Sequence, residues 1–265
     1  MVLMLQIVMR LVNGIMNKKE IIIEELTRRK KILEDKGYHV IYIGLHGSQN
    51  YNLDDEKSDI DCKAIIMPSL HDIIFRKVTS TTVELEDGHI DVKDLLTFYD
   101  VIRKGNFSYV ESINTIYWIG DEYIKDLFLP IKTNLKSMLG AMYEKRKALT
   151  HEYPSKHEEF DKWGYDPKQH HHILRLYDIL YFINQTDNNT PYLTYIDSDS
   201  RRKELINYKR NKNNIALSIV EKDSDEIIEK AKLLIPENYQ YEPINLDDKI
   251  NAYIEEKIRE ELERK

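Results

Sequence analysis

The chain has 265 residues, 42% apolar and 32% charged, with a formal net charge of −7. That is enough for one large domain or two modest ones around a proper core. The acidic balance means that no global positive field draws the chain to nucleic acid, so such a partner would need a local basic patch. A single cysteine, Cys62, excludes an internal disulfide and a multi-cysteine zinc site, and within its apolar run it reads as a small buried hydrophobe.

Residues 1–16 are mostly apolar but contain Gln6, Arg10 and Asn13. The run is shorter than the ~18 apolar residues that span a bilayer and has no cleavage-site pattern. It is expected to be a flexible extension, with no membrane partner and a cytoplasmic location for the protein. Residues 17–36 place Ile21, Ile22, Leu26, Ile32 and Leu33 among charges, the pattern of an amphipathic helix, with Gly37 as its stop.

Two strands are expected next, at 38–45 and at 60–67, the second ended by Pro68. Between them lie Gly47-Ser48 and then Asp59-Ile60-Asp61. Alternation along the second strand would project Asp59 and Asp61 from one face and turn Ile60 to the core. Two carboxylates in one small volume repel each other unless one takes a proton or a divalent cation lies between them. Such hard oxygen donors suit magnesium or manganese, and a third carboxylate would allow a two-ion site. At Gly47 the missing side chain lets the backbone approach a ligand closely, and the amides and hydroxyl of the turn suit phosphate oxygens.

Ser69 is placed to cap a short helix over 70–75. Residues 79–86 and 89–92 read as a hairpin around Asp87-Gly88. Asp91 lies between Ile90 and Val92. If its strand neighbours the one before it, three carboxylates converge; Asp94 and Glu86 are the alternatives, since a one-residue slip exchanges faces. From Asp94 the period changes to 3.6, with Leu95, Phe98, Val101 and Ile102 lining a helix that runs to Gly105-Asn106. Pro130 interrupts the next helical region, which resumes over 132–149. The polar stretch 153–164 contains Pro154 and puts the boundary between the catalytic and helical parts nearby, around residues 125–150; helices are expected over 167–184, 199–210, 215–234 and 246–265, the last carrying an Ile250, Tyr253, Ile254 and Ile258 stripe.

Asp166 and Pro167 form a helix start. Lys168, His172 and Arg175 then fall at i, i+4 and i+7 on one face. They read either as a clamp for phosphates or as a wet basic stripe. His170, His171 and His172 are consecutive and point in different directions, so they cannot jointly grip one ion. Tyr192, Tyr195, Tyr208, Tyr239 and Tyr241 have faces on which bases stack, though packing is their commoner use. The most basic local stretch holds Arg201, Arg202, Lys203, Lys209, Arg210 and Lys212, which reads as a solvated helix face or as a contact for RNA or a nucleotide.

Gly47-Ser48 followed by Ser58-Asp59-Ile60-Asp61 resembles the signature of the DNA polymerase beta nucleotidyltransferase superfamily. Tyr51, Leu53, the stretch from Gly105 to Ile113 and the glycine-tyrosine, lysine, histidine and arginine pattern of 164–175 look most like its RlaP-like group, associated with RNA repair genes. Asn52, Ala64 and Phe107 stand where that group usually has glycine, glycine and proline; asparagine tolerates left-handed backbone. The resemblance implies an α+β fold: a small mixed sheet forming a catalytic domain over 17–125, closed by a helical domain over 126–265. It implies Asp59, Asp61 and Asp91 as ligands of two Mg2+ or Mn2+ ions, Asp91 standing at the superfamily's third-ligand position. Gly47 and Ser48 would hold the triphosphate, with Lys168, His172 and Arg175 as further nucleotide contacts. The implied reaction moves a nucleoside monophosphate from a nucleoside triphosphate such as ATP to an acceptor hydroxyl, releasing pyrophosphate. An RNA end, a protein hydroxyl or a small molecule such as an aminoglycoside could accept it, and a catalytically silent nucleotide-binding sensor is the alternative.

Overall fold

The computed structural model describes residues 2–55, 58–186, 196 and 198–263. Helix α1 (Val2–Asp35) is continuous, so the segment expected as an extension carries helical backbone. It ends where Gly37 turns left-handed at φ 89°. Five strands follow: β1 (His39–His46), β2 (Asp61–Met67), β3 (Ser80–Leu85), β4 (Gly88–Asp94) and β5 (Trp118–Gly120), in the order β3-β4-β2-β1-β5. The β2–β4 pair is parallel and the others antiparallel, so the sheet is mixed. The fold is α+β.

One face of the sheet presents Val40, Ile43, Leu45, Cys62, Ala64, Ile66, Ile90 and Val92 to Ile22, Leu26 and Leu33 of α1. The other face is divided along its length. Its far end is apolar, with Tyr42, Ile65 and Met67 buried in a second core. Its near end carries His46, Asp61, Lys63, His89, Asp91 and Lys93, because the register sets His46 opposite Asp61 and Lys63 opposite Asp91. A period-2 pattern that changes from apolar to charged partway along a strand builds a core and a site on one surface.

Helix α2 (Leu70–Ile74) has the expected Ser69 cap, completed to a reciprocal box by Asp72. The second core is covered by α3 (Leu95–Ile102), α4 (Phe107–Asn114) and α5 (Glu122–Phe128), which ends just before Pro130. The helical half consists of α6 (Leu135–Ala148), α7 (His157–Trp163), α8 (Pro167–Gln185), α9 (Asp199–Lys209) and α10 (Leu217–Leu233). The polar stretch 153–164 contains α7. Helix α11 (Asp247–Glu263) returns to the sheet side, burying Ile250, Tyr253 and Ile254 beside α3 and α5. In the opposite sense Tyr51 and Leu53, just after β1, are buried in the core of the helical half with Met138, Met142 and Ile173. The two halves are therefore interlocked through the loop that follows β1. Among the described residues no helix is long and apolar enough to cross a membrane.

Two local departures from the sequence expectation bear on the site. β2 begins at Asp61, two residues after Asp59, because β1 ends at His46, which faces Asp61 and leaves nothing beyond for Asp59 to pair with. The hairpin turn is Glu86-Asp87, since Leu85 already pairs with Gly88. Gly88 is needed for close approach: a Cβ there would lie 2.0 Å from the Ile60 carbonyl oxygen. The Ile60 amide donates to the Asp87 carbonyl, so residues 58–60 cross over the hairpin instead of extending β2. Fully buried Arg29 of α1 pairs with Asp87 at 2.9 Å and with Glu25 at 2.7 Å, tying the turn down.

Candidate active site

A cleft of about 900 Å³ opens between the charged end of the sheet and the helical half, within the range of pockets that enclose small ligands. Asp59, Asp61, Asp91, Gly47, Ser48, Lys168, His172 and Arg175 all line it, from four separate stretches of chain. Of the alternatives to Asp91, Asp94 is buried and caps α3, accepting from the Thr97 and Thr79 amides. Glu86 stands in the exposed hairpin turn and is not part of the cleft wall.

Gly47 leaves β1 with φ 78°, a left-handed conformation that costs a residue with a side chain about 1–2 kcal/mol. A Cβ at that position would also stand 3.0 Å from Asp61 Oδ2, so the turn lies directly against the carboxylate. The Gly47 amide donates to the Tyr51 hydroxyl at 3.3 Å. Asn52 is left-handed at φ 60°, a conformation that asparagine adopts at little cost. Ala64 faces the α1 core and not the cleft, so its methyl group is far from the chemistry.

The carboxylates already have cationic neighbours. Asp61 Oδ1 lies 2.8 Å from His89 Nδ1. Burial alone would raise the Asp61 carboxyl, but the His89 hydrogen bond and charge outweigh it and hold the group below its usual range; the same bond raises His89. Asp91 Oδ2 accepts from Lys63 Nζ at 2.8 Å and from the Tyr109 hydroxyl at 3.0 Å, with Lys93 Nζ 3.6 Å from Oδ1. Burial again opposes the charge on Asp91, and Lys63 overrides it, lowering the carboxyl. Asp59 is exposed and makes no hydrogen bond or ion pair among the described residues.

This donor set can be weighed against a divalent ion. Among the described residues no group of three or more histidine, cysteine, aspartate or glutamate side chains is arranged to hold a metal. Asp59 and Asp61 are the hard oxygen donors that magnesium takes, one is free, and the missing Cβ of Gly47 leaves room beside the other. Those two are the donors present for one ion, Asp61 giving up its His89 contact to serve it. Asp91, the residue expected to complete the set, is neutralised by Lys63.

Across the cleft, Lys168 is exposed and Lys145 of α6 half-buried, and neither has a carboxylate partner among the described residues. Burial, reinforced by Lys168, lowers the Lys145 ammonium from its ordinary value. His172 is pushed well below its ordinary value by burial and by its neighbours His171, Arg175, Lys145 and Lys168, which makes it a neutral imidazole. Arg175 lies differently. Its guanidinium pairs with buried Glu111 at 2.6 Å and stacks 3.7 Å over the Tyr51 ring, while the Tyr51 hydroxyl donates to the other Glu111 oxygen at 2.6 Å. Arg175 thereby holds the loop after β1 onto α8.

Sequence reasoning missed Lys63, His89, Tyr109 and Lys145. Lys63, two residues after Asp61, and His89, two before Asp91, share their faces by alternation, a signal that was present. Lys145 carried none. The basic stretch near residue 205 is largely structural. Arg202 donates to the Asn52 and Asp54 carbonyls, Lys209 to the Leu53 carbonyl and Ser58, and Arg210 grips Asp55 with two bonds of 2.7 Å. These contacts fasten the loop leading to Asp59 onto α9. Tyr208 and Tyr239 pack against the helical core, and Tyr241 donates to the Lys132 carbonyl; Tyr192 and Tyr195 lie outside the described residues. His170 and His171 are bonded to Ser224 and the Leu205 carbonyl and share no ligand. The Cys62 thiol is buried and pushed up to about 12, as an inert core residue would be.

No family model and no curated protein matches the chain. Among solved structures it is similar to a nucleotidyltransferase-like protein from Exiguobacterium sibiricum, at 11% identity and a TM-score of 0.29, over 80% of this chain and 73% of that one. The functional reading rests on the geometry of the cleft.

Proposed function

We propose that the chain is a metal-dependent nucleotidyltransferase of the polymerase beta type, similar to the RlaP-like group, moving a nucleoside monophosphate from a nucleoside triphosphate to an acceptor hydroxyl. The observation that carries this reading is the packing of the Gly47-Ser48 turn against Asp61, beside exposed Asp59 and opposite the unpartnered Lys145 and Lys168, in one cleft. A triphosphate lying between the turn and α8 meets the Ser48 hydroxyl on one side and two ammonium groups on the other. The acceptor oxygen attacks the α-phosphorus in line and loses its proton to solvent, the new P–O bond forms, the bond from the α-phosphorus to the α–β bridging oxygen breaks, and pyrophosphate leaves with its charge facing Lys145 and Lys168. Asp59 and Asp61 would hold a divalent cation, which when bound neutralises phosphate charge and acidifies the acceptor hydroxyl. Lys63 and Tyr109 hold Asp91 in place beside them, and His46, driven well below its ordinary value by burial and by Lys63, is a neutral hydrogen-bonding group in the wall. An RNA end is the acceptor that the resemblance favours.

The test is incorporation of label from each nucleoside triphosphate into pooled RNA, with magnesium and with the protein itself scored as an acceptor. Asp59→Ala and Asp61→Ala are expected to lose at least 100-fold; unchanged incorporation in both overturns the assignment. The ion pairs already present at Asp61 and Asp91 favour one second reading, a nucleotide-binding protein without transfer. It predicts saturable nucleotide binding with no label in any acceptor.

A further inference from the structure

A second cavity, of about 800 Å³, lies between α7, the start of α8 and α9, and four residues, Lys156, Lys168, Lys209 and Arg210, line both it and the cleft described above. Its acidic residues are mostly committed within the protein. Asp54 pairs with Lys18, Asp55 with Arg210 and Glu159 with Lys156, and Asp166 caps α8. Four of its six lysines are not: Lys162, Lys168, Lys203 and Lys212 have no carboxylate within ion-pair distance among the described residues, and Glu158 is the one lining carboxylate left over. In a chain whose formal net charge is −7, this is a groove of uncompensated positive charge. Half-buried Trp163 stands in its wall, its indole N–H donating to Asn214 at 3.4 Å and Lys162 Nζ 4.6 Å from the ring centroid.

From this charge, this ring and the shared wall, we propose that the groove binds single-stranded nucleic acid and leads its end into the cleft as the acceptor. Spaced ammonium groups take successive backbone phosphates, and the Trp163 ring, packed on Leu149, Tyr165 and Val220, takes a base without regard to its identity when Lys162 swings from the ring to a phosphate. A free nucleotide has too few phosphates to use Lys162, Lys203 and Lys212 together with the residues of the main cleft. The inference rests on the transferase reading for the meaning of the bound strand, but binding itself is independent of it.

The probe is a fluorescein-labelled single-stranded ten-nucleotide RNA, titrated with the full chain by anisotropy over 50–200 mM salt. Lys162→Glu/Lys203→Glu/Lys212→Glu is expected to weaken binding more than tenfold. Loss of three phosphate contacts should reduce the slope of log affinity against log salt by about 2. Trp163→Leu, which touches none of the catalytic groups, is expected to weaken binding severalfold and to abolish quenching of tryptophan fluorescence by unlabelled RNA. ATP binding to the main cleft should stay within twofold in both variants. The proposal is overturned if the wild type does not bind RNA at 50 mM salt, or if the triple variant binds as well as the wild type. It is also overturned if heparin is bound as tightly and Trp163→Leu changes nothing, which would mark a surface that recognises charge alone. Label transfer to another acceptor without RNA binding would remove this inference and leave the transferase reading standing; RNA binding without any transfer would do the reverse.

Discussion

Glu111→Ala tests the assignment of Arg175 as a structural clamp on the loop after β1. In the native protein the Glu111 side chain is 1% exposed and that of Arg175 6%, 2.6 Å apart, with the Tyr51 hydroxyl donating to the same carboxylate. Removing the carboxylate leaves a guanidinium buried without a counter-ion. Breaking one partner of a buried pair costs about 3–5 kcal/mol, and stranding the hydroxyl adds about 1 kcal/mol. At about 2–4 °C per kcal/mol for a domain of this size, the melting temperature should fall by roughly 8–24 °C. Replacing the pair by Glu111→Leu/Arg175→Met removes both charges together and is expected to recover most of that loss. Urea unfolding of the wild type, Glu111→Leu, Arg175→Met and the double variant closes a thermodynamic cycle. A coupling below about 0.5 kcal/mol would refute the reasoning, since a pair this buried cannot be so weakly coupled if it anchors the loop.

Gly47→Ala should lower nucleotide transfer more than tenfold while costing only about 1–2 kcal/mol of stability for the left-handed backbone, measured by activity and urea unfolding on one preparation; retained activity would mean that the turn does not border the reacting groups. Lys63→Met removes the cation nearest Asp91 and should strengthen Mn2+ binding roughly fivefold or more, the effect of about 1 kcal/mol of lost repulsion, read by electron paramagnetic resonance. His171 is buried and its imidazole is depressed to about 3 by that burial. A depressed histidine contributes stability that is complete above its unfolded value of 6.5 and is lost as pH falls toward 3, at up to about 1.4 kcal/mol per pH unit. Between pH 6.5 and 5, His171→Gln should therefore flatten the decline in unfolding free energy seen for the wild type.

Much of the site was legible before any coordinates. A strand period of two, a glycine at a strand end and a proline after an aspartate at a helix start each act over a few residues. Gly47, Asp61 and the Lys168 to Arg175 face could therefore be named from spacing, with Asp91 as one of three candidates for the third carboxylate, and all of these line the cleft. Asp59 shows the limit of such rules. Alternation put it on a strand, but strand length depends on a partner, and β1 has no residue left to pair with it. Asp94 and Asp91 could not be separated from sequence because a one-residue register slip exchanges them; the pairing of β4 with β2 made Asp94 a helix cap and put Asp91 in the cleft.

The sequence by itself determined the local devices: which stretches are strands, where helices begin, and which short segment carries the glycine turn and the aspartates. Tertiary structure alone decided what those groups are paired with. Lys63 against Asp91, Glu111 against Arg175 and Lys145 facing the aspartates across the cleft join residues from 28 to 64 positions apart in the first two cases. Electrostatic partnership depends on distance in space, which chain connectivity constrains only within a few residues.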